Sequence, residues 1–169
     1  TVTTSANGGT ATSAAYTPTA AGFYCWRAEY TPDASSQYLA GKHTNQTTEC
    51  FEVVKNTPAI ATSANQTVSV GSSIADSATL TGATSDAGGS ITFKAYGPGT
   101  DCSGSPAFTS SPVAVSGNGT YGPVSFIPAT AGTYRWIASY SGDAKNASAT
   151  GACNDAGEND TVNKVTPSI

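Results

Sequence analysis

Methionine is absent, histidine occurs once, and Asp, Glu, Lys and Arg together make up only 11% of the 169 residues. Each shortage removes a class of function. Seven Lys and Arg against eleven Asp and Glu give a net charge of −4. No basic stripe exists to displace phosphate counterions, so a nucleic-acid partner is not expected. Disordered chains are rich in charge and poor in aromatics; this chain is the reverse, with 9% aromatic residues inside patterned segments. No apolar run reaches the roughly 20 residues that a helix needs to cross a bilayer, so we expect no membrane span in this segment. Thr1 stands where translation would start with Met. We therefore expect a processed, excised or truncated chain, with any signal peptide removed or outside this segment.

The side chains of catalysis and metal binding are also scarce. Zinc sites use closely spaced Cys and His pairs, but no Cys-x-x-Cys occurs and His43 stands alone in the polar stretch Gly41-Lys42-His43-Thr44. A nucleophile needs a base beside it, and His43 reads as an ordinary loop residue. Glu29, Glu49, Glu52 and Glu158 form no evident carboxylate pair for glycoside chemistry. We expect no enzyme, no cofactor and no metal.

What is present is four cysteines, short alternating segments and many turn residues. Four cysteines allow three pairings. Cys25 lies beside Trp26 on one expected strand, and Cys50 opens the next apolar one, Cys50-Phe51-Glu52-Val53-Val54. We pair these two and, by remainder, Cys102 with Cys153. Two structural disulfides imply an oxidising compartment, and hence an extracellular or cell-surface location.

Helical periodicity is missing. Alternation with a period of two predicts strands at 67–70, 74–80, 89–96, 112–115, 120–127, 133–140 and about 160–165. Ile91, Phe93 and Ala95 share one face, and so do Tyr134, Trp136 and Ala138. About seven strands in such a span predict an all-β, immunoglobulin-like sandwich.

One phrase is written twice. Ala21-Gly22-Phe23-Tyr24-Cys25-Trp26-Arg27-Ala28-Glu29-Tyr30 returns as Ala131-Gly132-Thr133-Tyr134-Arg135-Trp136-Ile137-Ala138-Ser139-Tyr140, an offset of 110 residues from Gly22 to Gly132. Its Gly and Tyr resemble the tyrosine corner at the start of strand F in immunoglobulin domains. Trp replaces the Cys that antibody domains carry two residues after that Tyr, so their core disulfide is absent. Period two places Cys25 opposite Trp26 in facing, so a Cys25–Cys50 bridge ties strands F and G on the outer face. A second echo, Lys55-Asn56-Thr57-Pro58-Ala59-Ile60 with Lys164-Val165-Thr166-Pro167-Ser168-Ile169, puts junctions at Pro58 and Pro167. Residues 59–169 are then one complete repeat, and 1–58 the C-terminal half (strands D to G) of another. A half-sandwich leaves its apolar face and edges open. We expect about 50 residues upstream, as the offset implies, or a partner chain to complete it.

Taken together, residues 132–143 (Gly-x-Tyr-x-Trp-x-Ala-x-Tyr-Ser-Gly-Asp), Ile91-Thr92-Phe93-Lys94-Ala95-Tyr96-Gly97-Pro98 with Cys102, Gly117-Asn118-Gly119-Thr120-Tyr121, and Cys153-Asn154-Asp155-Ala156-Gly157-Glu158 resemble bacterial immunoglobulin-like tandem repeat domains of secreted or cell-surface proteins. The resemblance covers 59–169, with 1–58 as a divergent half-copy whose Thr31-Pro32-Asp33 departs from Ser141-Gly142-Asp143. It supports both disulfide pairings. It implies a stalk, spacer, filament-forming or adhesive module whose partners are neighbouring repeats or protomers of the same protein. The alternative is an adhesin or glycan-binding module that meets host or matrix glycans with loop-tip aromatics, for which Tyr38, Tyr96 and Tyr121 are the candidates.

The remaining polar residues have plain readings beside sharper ones. Asp33 and Asp143 read as caps of turn amides. The sharper reading is calcium, with Asp155, Glu158 and Asp160 downstream, but six to eight oxygens are needed and the spacing does not assemble them. Lys94 reads as a solvated strand residue, outward with Thr92 and Tyr96, and not as an inward Lys poised for an internal amide cross-link. Asn45, Asn65, Asn118, Asn146 and Asn159 begin Asn-x-Ser/Thr triplets, which a chain this rich in Asn and Thr also produces by chance.

Overall fold

The computed structural model describes residues 2–5 and 8–168, with side chains from residue 10 onward. Two compact units result, Thr1–Val53 and Val54–Ile169. The first holds three separate two-stranded antiparallel sheets. β1 (Val2–Ser5) pairs with β2 (Gly8–Ala11). β3 (Gly22–Cys25) pairs with β6 (Cys50–Val53). β4 (Ala28–Tyr30) pairs with β5 (Gly41–His43), so His43 ends a strand where the sequence suggested a loop. One helical turn, α1 (Gln46–Glu49), is capped by the Asn45 side chain accepting from Thr47 N. Two-stranded sheets bury little, and Trp26, Phe51, Tyr30 and Tyr16 remain 40–55% exposed.

The second unit is an immunoglobulin-like β-sandwich. Its strands are β7 (Ala59–Ser63), β8 (Thr67–Ser69), β9 (Ile74–Thr81), β10 (Ser90–Tyr96), β11 (Phe108–Thr109), β12 (Val113–Ala114), β13 (Gly119–Phe126), β14 (Gly132–Tyr140), β15 (Ala149–Thr150) and β16 (Asn159–Asn163). One sheet runs β13-β9-β7. The other runs β11-β10-β14-β16-β8, with β12 also on β10 and β15 on β14. In immunoglobulin terms this is A-B-E against A′-G-F-C-C′, the first strand switching sheets between β7 and β8.

The inner faces follow the period of two. Ile91, Phe93 and Ala95 of β10 and Tyr134, Trp136 and Ala138 of β14 are all buried, and Ile74, Ala78 and Leu80 of β9 meet them from the other sheet. Each large apolar side chain so buried contributes roughly 1.5–3 kcal/mol. Phe108 and Phe126 stack at 5.0 Å between ring centres, and both stand edge-on to Trp136. β7, β11 and β15 escape the sequence pattern because they are short or nearly devoid of large apolar residues. The segment before β7 is bonded to the turn after β14: Lys55 Nζ donates to Asp143 O, and Asn56 N to Lys145 O.

The doubled motif acquires a structural reason. Tyr134 OH donates to Thr130 O at 2.9 Å, four residues back, and Tyr24 OH donates to Ala20 O at 2.8 Å. Each is a tyrosine corner. The Gly two residues ahead is required at the second one. Gly132 has φ +143°, and a Cβ there would lie 2.4 Å from Pro98 Cβ. Tyr134→Phe deletes one hydrogen bond and should lower the stability of the second unit by about 1–1.5 kcal/mol in urea unfolding. An unchanged midpoint would show that the corner only orients the chain.

Candidate functional site

Two polar clusters stand at opposite ends of β14. The first is the turn that follows it. Asp143 Oδ1 accepts from Lys145 N at 2.7 Å and Asn146 N at 2.8 Å, while Oδ2 accepts from Gly88 N at 2.7 Å. Asn146 is buried and donates from Nδ2 to Asp143 and Thr84 Oγ1, and its Oδ1 accepts from Thr84 N. Burial pulls the Asp143 carboxyl upward, but these donors overcome it and hold the group well below the usual carboxylate range. Asp33 repeats the device in smaller form, with Oδ1 accepting from Ser35 N at 2.9 Å and Ser35 Oγ at 2.7 Å. Both aspartates therefore serve as turn caps.

The second cluster lies where strand one changes sheets. A strand that leaves one sheet for another strands its amides at the crossing. Asp76 Oδ1 accepts from Ser63 N at 3.2 Å, Asp160 Oδ1 from Gln66 N at 2.5 Å, and Gln66 Oε1 from Ala75 N at 3.1 Å. Asp160 Oδ2 also accepts from Trp136 Nε1 at 2.8 Å. Asp76, Glu158 and Asp160 are each at most 1% exposed. Asp76 Oδ2 and Glu158 Oε2 are buried with no hydrogen-bond partner. Burial, then the charge of Glu158, pushes Asp76 up to about 7. Burial foremost also raises Glu158, with Asp155 and Asp160 adding to the rise, and burial raises Asp160 against its donors.

The residues of the calcium reading do not converge. Asp160 pairs with Tyr134 across the sheet, whereas Asp143 lies beyond Tyr140, at least ~20 Å away along the strand. Asp155 spends Oδ2 on Ala152 N. Among the described residues, no group of three or more His, Cys, Asp or Glu is disposed to hold a metal ion.

Cys25 is bonded to Cys50, directly opposite on β3 and β6. Cys102 is bonded to Cys153, joining the loop after β10 to the loop before β16. Arg135 reinforces this second bridge by donating to Asn154 Oδ1 and Gly99 O. The bridges span separations of 25 and 51 residues, for which loop-closure entropy stabilises by about 3.5 and 4 kcal/mol. His43 meets Glu49 at 3.6 Å. Lys94 sits half-buried on the outer face of β10 with Thr92 and Tyr96.

The aromatic candidates are not brought together. Tyr38 is 71% exposed in the first unit. Tyr96 is half-buried on β10, and Tyr121 belongs to β13 in the other sheet, its OH donating to Gly117 O and accepting from Ser116 N. Of the Asn-x-Ser/Thr residues, Asn146 is enclosed, Asn118 is bonded on both sides to the Ala83 backbone, and Asn45 and Asn65 are exposed.

Asp76 is the residue the sequence reading passed over, and Glu158 was weighed only as one member of a carboxylate pair or a calcium set. The signal was there: Asp76 shares its face of β9 with Ile74, Ala78 and Leu80. An acid on an apolar face is the mark of a buried polar site.

Neither a protein-family model nor a curated protein matches the sequence. Among solved structures, the chain has a slight likeness to the CARDB domain of a Pyrococcus furiosus protein in complex with di-metal ions. It is 15% identical, covers 64% of this chain and 87% of that one, and has a TM-score of 0.36. The fold assignment rests on the strand order and facing described above.

Proposed function

We propose that this chain is part of a non-catalytic extracellular array of immunoglobulin-like units, of the kind found as tandem repeats in secreted or cell-surface bacterial proteins, and that its work is mechanical: a stalk, spacer or filament segment. The parallel pairing of β8 with β16 carries this reading. These are among the first and last strands of the second unit. Because they run the same way, the chain enters at one pole and leaves at the other, as end-to-end stacking requires. Tension through the ends then loads the β8–β16 hydrogen bonds together, in shear. The 110-residue repeat and the two disulfides support the same reading. So does the strap of residues 55–58 on the Asp143 turn, whose echo at 164–167 suits the entry of a following unit.

Force spectroscopy on the whole chain, held by its ends, tests it. The second unit should unfold at a force several times that seen when the same unit is pulled open from one pole. Equal forces in the two geometries would remove the mechanical reading. Reductant should lengthen the unfolding step by releasing the 51-residue loop, about 180 Å at ~3.5 Å per residue. A step unchanged by reductant would remove the disulfide clamp.

A further inference from the structure

Asp76 and Glu158 are held by adjacent residues of one strand: Ser63 N donates to Asp76 Oδ1, and the Thr62 side chain bonds Glu158. Each is 1% exposed and each has one oxygen with no partner. Two ionised carboxylates in such a place repel, and each leaves a desolvated oxygen uncompensated. Among the described residues, no cationic side chain is paired with either. β7, β8 and the facing part of β13 carry no titratable side chain there. β14 supplies Tyr134, whose hydroxyl is spent on Thr130 O, and Arg135, which is engaged with Asn154 and Gly99. β10 supplies Lys94, on the outer face. β16 and the turn before it add only acids, Asp160 and Asp155. Asp160 differs from the pair because both of its oxygens have donors, Gln66 N and Trp136 Nε1.

We propose that Asp76 and Glu158 form a proton-binding pair that locks the β7–β8 crossover, so that the second unit is more firmly closed in mild acid than in neutral or alkaline solution. The pair binds one proton between its two members, and burial together with the charge of Glu158 raises Asp76. Its carboxyl rises to about 7 in the folded unit, above its value in an unfolded chain. A raised folded value makes the contribution complete below about pH 4, progressively lost as pH rises towards 7, and absent above it. The crossover carries the chain onto β16, so the pair tunes the same β8–β16 contact that tension would load. The pair itself is argued from burial and bonding and holds whether or not the array reading does.

Thermal unfolding of the full chain tests this, followed by Trp136 fluorescence in a Trp26→Phe background. The midpoint should fall by at least ~5 °C between about pH 5 and about pH 8.5. Asp76→Asn should flatten that slope and raise the midpoint at the alkaline end, since an amide can donate where two carboxylates repel. Glu158→Gln should do the same from the other side and serves if the first variant fails to fold. A wild-type midpoint that is level or rises with pH overturns the proposal, as does an Asp76→Asn variant that keeps the full slope. A slope abolished by millimolar calcium, with a higher midpoint, would make the pair a cation site and also overturn it.

Discussion

Trp136→Ala should unfold the second unit, or leave it barely folded. Trp136 is fully buried, and Phe108 and Phe126 stand edge-on to it. Truncating a large core aromatic costs about 3–5 kcal/mol. The indole also donates to Asp160 Oδ2 at 2.8 Å, and an abandoned buried acceptor adds about 1–3 kcal/mol. The sum, about 4–8 kcal/mol, reaches the whole stability of many domains. Trp136→Phe separates the parts: it refills most of the volume but still strips Asp160, and should cost about 2 kcal/mol. The repeat supplies the contrast. Trp26 occupies the same place in the motif but is 41% exposed, with Tyr16 edge-on at 6.3 Å. Trp26→Ala should cost about 1 kcal/mol or less. Urea unfolding of the three variants decides the matter, and equal losses at Trp26 and Trp136 would contradict the account of the core.

Asp143→Ala should be the next most damaging change, at about 3–4 kcal/mol. Three backbone amides, those of Gly88, Lys145 and Asn146, lose their acceptor at once. The buried Asn146 side chain also loses two of its contacts. The turn in question receives residues 55–58, so its loss should release the entry segment as well. Amide hydrogen exchange should show this as lost protection at Asn56 N and Ala147 N, which are bonded across that seam. Asp143→Asn keeps one acceptor oxygen and should recover about half the loss. The pH dependence runs opposite to that of Asp76. A folded carboxyl held below its unfolded value contributes fully above about pH 4 and loses that contribution as pH falls through the folded value. Full protection of Asn56 N in Asp143→Ala would show that the entry segment is held elsewhere.

The legible parts of this fold share one property: their signals are local. Alternation on β10 and β14 puts the same side of every second residue inward, so Ile91, Phe93, Tyr134 and Trp136 can be placed before any neighbour is known. The tyrosine corner closes over four residues, and the Gly before it answers to its own backbone angle. β7 is different. Its Ala-Ile-Ala-Thr-Ser sequence carries one large apolar residue, and it is a strand because β9 lies beside it. The crossover to β8 depends on Gln66 meeting Asp160, 94 residues away. That Tyr121 turns inward against the core, while Tyr96 stays on the outer face of β10, was likewise decided only when β13 paired with β9.

By itself, then, the sequence determined the all-β class, the inward faces of the long strands and the doubled motif with its two tyrosine corners. Tertiary structure alone decided that two acids are buried together at the strand crossing, and that Asp143 and Asp160 lie at opposite poles. Alternation encodes which side of a strand is apolar. What a buried polar atom finds there depends on strands far away in the chain, and those meet only when the two sheets close.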